Sequence, residues 1–170
     1  MRALITFCLR HWPLLALVTS IAMLAIAHAF ETFGHLAPCT LCLEQREVYW
    51  IAIPVAAAAM AAGYYTPLGR LAPYLGGGLA IVFLIGMALA IYHAGAEWKF
   101  WPGPQTCSST GAKVDPGDIA NLLKGAKVSA PRCDEAAWRF LGLSMAGWNA
   151  LISLKLAFWS GVWAFRRPAR

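Results

Sequence analysis

Pro38-Cys39-Thr40-Leu41-Cys42-Leu43-Glu44-Gln45-Arg46-Glu47-Val48-Tyr49-Trp50-Ile51 runs from a Cys-x-x-Cys pair straight into an apolar segment that continues to Gly63. Pro38 disfavours helix at Ala37 and starts a turn ahead of the pair. The stretch from Val48 to Gly63 is short of the ~20 residues a helix needs to cross hydrocarbon. It reaches that length only by starting near Cys42, with Glu44, Arg46 and Glu47 in its first turns. This reading sets a redox-capable dithiol at the mouth of a membrane helix.

Working outward, three further apolar runs lie at roughly 12–30, 74–92 and 145–165. They are continuous rather than alternating, and only helices and closed barrels satisfy every backbone group in lipid. The expected fold is therefore an all-α membrane protein, a four-transmembrane-helix bundle built as one integral domain over residues 1–170. Its spans fall at roughly 12–30, 44–63, 74–92 and 145–165, with outward loops at roughly 31–43 and 93–144. Composition agrees: 59% of residues are hydrophobic and 13% charged, against about 25% charge in ordinary globular domains.

Charge placement sets the orientation. Arg2, Arg10, Arg70, Arg166, Arg167 and Arg170 flank one side of the spans with no acidic residue among them. Glu31, Glu44, Glu47, Glu97, Asp115, Asp118, Asp134 and Glu135 all fall on the other. Basic residues in short loops mark the inside, so both termini are expected in the cytoplasm and the cysteine-bearing loops outside. The net charge of +6 is spread over membrane flanks rather than gathered in a basic patch, which argues against nucleic acid. Arg2, the first apolar run and Ala27-His28-Ala29 resemble a signal peptide. The run is long for one, and cleavage would leave an odd number of spans, so an uncleaved first span is expected.

The long outward loop holds Cys107 and Cys133 and is the only stretch rich in Gly, Pro, Ser, Asp and Lys. Within it, Asp115-Pro116 reads as a helix start and Ile119, Leu122 and Leu123 share one face. Either a short surface helix or a plain polar loop fits that pattern. Zinc wants four convergent ligands, but the second cysteine pair is widely split and no His follows in finger spacing. Covalent haem needs His after the second Cys, where this chain has Leu43. A thioredoxin-type domain needs strands that are missing from the pattern. In an oxidising compartment the pairs are either static staples or redox-active. Arg46 favours the second reading. It lies four residues beyond Cys42 on one helix face, where its charge and the helix N-terminus both stabilise a thiolate. It is also placed to donate to an acceptor oxygen gaining negative charge. A lipid-boundary arginine balanced by Glu47 is the bland alternative.

Pro38-Cys39-x-x-Cys42-x-x-x-Arg46 opening the second span resembles the disulfide bond formation protein B (DsbB) family, bacterial membrane oxidoreductases that pass electrons to quinone. Three further stretches resemble it too: Tyr92-His93, then Trp101-Pro102-Gly103-Pro104-Gln105-Thr106-Cys107, and Cys133-Asp134-Glu135 through to Leu143-Ser144-Met145. The resemblance covers nearly the whole chain and implies a relay in the inner membrane with the cysteine loops periplasmic. A reduced periplasmic thiol oxidase of the thioredoxin fold, DsbA-like, attacks a Cys107–Cys133 disulfide at Cys107. Cys133 then attacks Cys39, and Cys42 leaves as the thiolate that hands electrons to quinone, ubiquinone or menaquinone. Exchange is faster when the leaving thiol has the lower pKa.

Five smaller features complete the reading. His93, at the outer end of the third span, is a candidate to donate a hydrogen bond or proton to the quinone. Glu47 is a candidate counter-ion to Arg46 or a proton relay. Trp98, Trp101, Trp138 and Trp148 read as an interfacial aromatic belt. Cys8, on the reducing side, reads as a small apolar residue. Lys155, near the middle of the fourth span, is costly there and either snorkels or faces the bundle. Two other classes stay in play: a vitamin K epoxide reductase-like quinone-linked thiol oxidoreductase, and a non-enzymatic membrane protein with structural disulfides. Cys107 and Cys133 in one loop before the last span favour the DsbB-like reading over the first of these.

Overall fold

Among the described residues, four long helices carry the apolar runs. The structure, a computed structural model, describes residues 2–64, 69–104 and 133–165. A short first helix, α1 (Arg2–Arg10), leads into α2 (Trp12–Thr32). Then come α3 (Thr40–Tyr64), α4 (Ala72–Glu97) and α5 (Met145–Phe165). Both α2 and α4 have proline in the first turn, where its missing N–H has no helical partner to lose. Pro54 sits inside α3, where it removes one backbone bond. The hairpin of β1 (Arg139–Phe140) and β2 (Leu143–Ser144) pairs Arg139 with Ser144 and Phe140 with Leu143. Its two-residue turn, Leu141-Gly142, has φ of 50° and 82°. Positive φ at both central residues is the turn whose twist matches a right-handed hairpin.

Two boundaries shift against the sequence reading. Helix α3 starts at Thr40, so Cys42 already lies in its first turn, and α4 runs on to Glu97. His93 is thus a helical residue one turn inside the end of α4 rather than a residue of the loop. Neither α1 nor the hairpin was expected. The candidate surface helix around 115–125 and Cys107 lie outside the described residues.

Contacts along the chain show how the helices run. Arg46 at the start of α3 reaches Glu31 at the end of α2. Gly76 near the start of α4 lies under Trp163 near the end of α5, where an added Cβ would sit 2.7 Å from the indole. Trp12 at the start of α2 donates to Ser160 Oγ near the end of α5 at 3.0 Å. Neighbours are therefore antiparallel, and one end of the bundle collects the C-termini of α2 and α4 with the N-termini of α3 and α5. The core beneath is built on Ala16, Ala52, Ala56, Ala59, Leu79 and Phe83, small residues on α2 and α3 letting helices approach closely. Large apolar side chains such as Val18, Ile51, Ile85, Leu151 and Phe158 point outward. By length and composition α2 and α4 each suffice to cross a membrane. Lys155 resolves as an outward residue. It lies on the face of Leu151, Leu154 and Phe158 and away from the bundle interior.

Candidate active site

The cysteines meet at the end of the bundle where α3 begins. Cys39, just ahead of the helix, and Cys42, in its first turn, hold their sulfurs 2.8 Å apart. The Cys42 backbone N–H also points at Cys39 Sγ, at 3.3 Å. Cys39 is buried at 4% exposure while Cys42 is partly open. The hydrogen bond with Cys42 and then burial push the Cys39 thiol well above the ordinary thiol range. Of the pair, Cys39 keeps its proton, and Cys42 is the sulfur able to carry charge.

Cys133 is brought onto this pair from ninety-four residues downstream of Cys39. It is 1% exposed and shares a buried cluster with Cys39 and Leu41. Its Sγ is 3.6 Å from Thr40 Oγ1, and its thiol is among the groups holding that of Cys39 up. The neighbouring Asp134 anchors the segment. Lys99, just past α4, donates to the Asp134 carbonyl and carboxylate at 2.7 Å each. Trp101 lies across the end of α4 and donates to the Tyr92 carbonyl at 2.9 Å. Gly95 makes room for it, since a Cβ there would fall 2.0 Å from the indole ring. Trp148 donates to the Phe140 carbonyl, and Trp138 packs on Phe30 of α2. The tryptophans expected as a belt thus also bolt the polar segment onto the helix ends.

Arg46 is placed differently from the sequence expectation. Its partner is Glu31 at 2.6 Å, with a second bond to the Ala27 carbonyl at 3.1 Å. Glu47 is exposed, because one residue further along a helix points about 100° away. His93 sits inside the end of the bundle. It is buried, with Nε2 3.7 Å from Cys39 Sγ and 3.7 Å from Glu97 Oε1. Its Nδ1 faces Gln45 Nε2 at 2.8 Å. Behind Gln45 a polar file continues through Asn149, Tyr49 and Ser153, all buried.

Sequence reasoning missed Gln45, Tyr49, Glu97, Asn149 and Ser153. The signal was available: Gln45 and Tyr49, His93 and Glu97, and Asn149 and Ser153 are each polar pairs four residues apart, the first two at the ends of apolar runs and the third inside one. Polar stripes of that kind in membrane helices face the bundle interior.

The ligand atoms of Cys39, Cys42 and His93 lie within 4.8 Å of one another, close enough to ask whether they form a metal site. A metal-binding histidine turns a lone pair to the ion and donates its other N–H outward. Here the outward nitrogen, Nδ1, faces an amide donor, so the arrangement suits thiol chemistry better.

A helical bundle with a buried dithiol and a third cysteine packed on it defines a membrane thiol–disulfide protein. Residues 9–163 match the family model described as Disulfide bond formation protein DsbB. The chain is 31% identical over 140 residues to disulfide bond formation protein B of Dechloromonas aromatica, covering 78% of each chain. It is 30% identical over 169 residues to disulfide bond formation protein B 2 of Pseudomonas entomophila, covering 95% of this chain and 96% of that one. No solved structure matches the chain. The chain belongs to the DsbB family, and is a membrane disulfide oxidoreductase of disulfide bond formation.

Proposed function

We propose that the chain is a quinone-linked disulfide oxidase of the bacterial inner membrane. It reoxidises a periplasmic thiol oxidase of the thioredoxin fold, DsbA-like, and delivers the electrons to the membrane quinone pool. In this reading the bundle spans four times, both termini are cytoplasmic, and the cysteine-bearing loops are periplasmic.

The observation that carries it is Cys133 buried against Cys39. A thiolate on the partner attacks Cys107 of a Cys107–Cys133 disulfide, and the electron pair leaves on Cys133. That thiolate attacks Cys39, the Cys39–Cys133 bond forms, the Cys39–Cys42 bond breaks, and the pair passes to Cys42. Burial against Cys39 makes the second attack effectively intramolecular, and Cys42 is the better leaving group because Cys39 is the sulfur that holds a proton.

Quinone, as ubiquinone or menaquinone, supplies when bound a sink for two electrons and two protons. The residues fit it at Cys42 and Arg46. Cys42 is the more open sulfur, Trp50 and Ile51 expose apolar surface further along the same helix, and Glu31 and Ala27 take only two bonds from a guanidinium with five N–H donors. The test is anaerobic oxidation of a reduced thioredoxin-fold thiol protein by the purified chain with ubiquinone. One quinone should be reduced per disulfide formed, and Cys42→Ser should abolish both. Disulfide formation without quinone loss would refute the reading.

A further inference from the structure

The polar file behind His93 has a direction, and one carbonyl sets it. Gln45 places one end of its amide 3.1 Å from the Leu41 carbonyl oxygen. A carbonyl only accepts, so that end is the NH2 group. The same nitrogen is 2.8 Å from His93 Nδ1, so its second hydrogen points at the ring and Nδ1 must accept. The Gln45 oxygen then faces Asn149, which must present its own NH2. That leaves the Asn149 oxygen to accept from the Tyr49 hydroxyl, with Ser153 Oγ nearby at 3.4 Å. Every bond therefore runs one way: Tyr49 to Asn149, Asn149 to Gln45, Gln45 to His93. Tyr49 and Gln45 come from α3, Asn149 from α5 and His93 from α4, so the file also ties three helices together.

With Nδ1 accepting, the proton of the neutral ring sits on Nε2. That nitrogen lies 3.7 Å from Cys39 Sγ and 3.7 Å from Glu97 Oε1. We propose that Tyr49, Asn149 and Gln45 are positioning residues that hold His93 as its Nε2–H tautomer, so that the ring donates to Cys39 Sγ whenever that sulfur takes up negative charge. Under the thiol-exchange reading above, on which this rests, that moment is the release of Cys39 from its bond to Cys133. Once the partner's second thiol has attacked its own sulfur in the mixed disulfide and released Cys107, the Cys107 thiolate attacks Cys133, the Cys107–Cys133 bond forms, the Cys133–Cys39 bond breaks, and the electron pair goes to Cys39. No outside oxidant is involved. Once Cys42 has given up its proton it cannot share one with Cys39, and the histidine is then the side-chain donor that joins the Cys42 backbone N–H at that sulfur.

The test uses the full chain in detergent with nitrogen-15-labelled histidine, His93 being assigned from a His93→Asn spectrum. Wild type should show an unprotonated Nδ1 and a protonated Nε2. Gln45→Glu removes the donor and offers an acceptor, and should move the proton to Nδ1. Gln45→Met, a gentler change of similar length, should leave a mixture. In a Cys42→Ser background, alkylation of Cys39 at neutral pH, read by peptide mapping, should slow about tenfold on Gln45→Glu, the scale of one hydrogen bond to a charged group, and by less on Gln45→Met. A merely structural role would lower thermal stability and leave the tautomer and the alkylation rate alone. That result, or a wild-type ring protonated on Nδ1, overturns the proposal. Both readouts are independent of quinone, so a chain that passes them yet fails to reduce quinone keeps this assignment and loses the proposed function.

Discussion

Cys133 is packed against Cys39 even though ninety-three residues separate them in the chain, and both are buried. The long polar segment does not hang free at this point: Lys99 grips Asp134, and the hairpin leads straight into α5. Thiol exchange between the two segments needs no further search by the Cys133 end. Cys133→Ala should therefore trap the thioredoxin-fold partner as a mixed disulfide on Cys107, because the thiol that would follow through is gone. Mapping the trapped bond by mass spectrometry checks the order of the relay. A partner found on Cys39 would reverse it.

The asymmetry of the dithiol gives a second expectation. In the reduced protein, iodoacetamide at neutral pH should modify Cys42 well before Cys39. Cys39 is 4% exposed, and its thiol is held up by the bond to Cys42 and by burial. A thiol raised on folding stays neutral in the native state while the unfolded one ionises. Its contribution is fully present below the unfolded value, about 8.5, and is lost as pH climbs above it. Reduced protein should therefore lose thermal stability in mild alkali, and Cys39→Ala should lose less. A flat or rising profile would contradict this.

Arg46 is expected to act on the quinone half-reaction rather than on partner exchange. Arg46→Ala removes a donor one turn beyond Cys42. Losing a charge-assisted hydrogen bond costs ~1.5–3 kcal/mol, roughly ten- to hundredfold in that step. Arg46→Lys should recover only part, lacking the planar fork that spans Glu31 and the Ala27 carbonyl. Stopped-flow kinetics with the half-reactions measured apart decides it. An equal loss in both would leave Arg46 as the clamp between α2 and α3.

Gly95 makes a packing prediction. Any Cβ there meets Trp101 at 2.0 Å, so Gly95→Ala must displace the indole from the end of α4. Overpacking of this kind costs ~1–3 kcal/mol. A lowered melting temperature and a shifted tryptophan emission should appear together, and Trp101→Ala should suppress the added cost in the double variant.

What was legible in the sequence was local. Apolar runs mark helices because each residue reports its own solvent, and Cys39, Cys42 and Arg46 sit close enough in the chain to be read as one motif. Helix ends were less so. Thr40 and Glu97 extend α3 and α4 beyond their apolar limits because the added turns are buried in the site and not in lipid. Partners across helices were the least accessible. The nearest acid to Arg46 is its neighbour Glu47, yet helical geometry sends that side chain to solvent and brings Glu31 of α2 instead. His93 was singled out for its chemistry, but that it faces Cys39, and that Gln45 fixes its ring, depends on how α3, α4 and α5 pack. Lys155 has a location without a role: it is exposed ten residues into α5, about 15 Å from Met145 along the axis, and nothing in the structure explains it.

The central claim is that Cys39 and Cys42 give their electrons to quinone. The most direct measurement is a single turnover without any partner protein. Fully reduced Cys107→Ser/Cys133→Ser chain, in which no second cysteine pair can reduce the dithiol again, is mixed anaerobically with one equivalent of ubiquinone, quenched in acid, and its thiols counted by alkylation and mass spectrometry. The account predicts that Cys39 and Cys42 lose their thiols together as one quinone is reduced, while Cys8 is untouched. Both thiols persisting beside an unchanged quinone would contradict it.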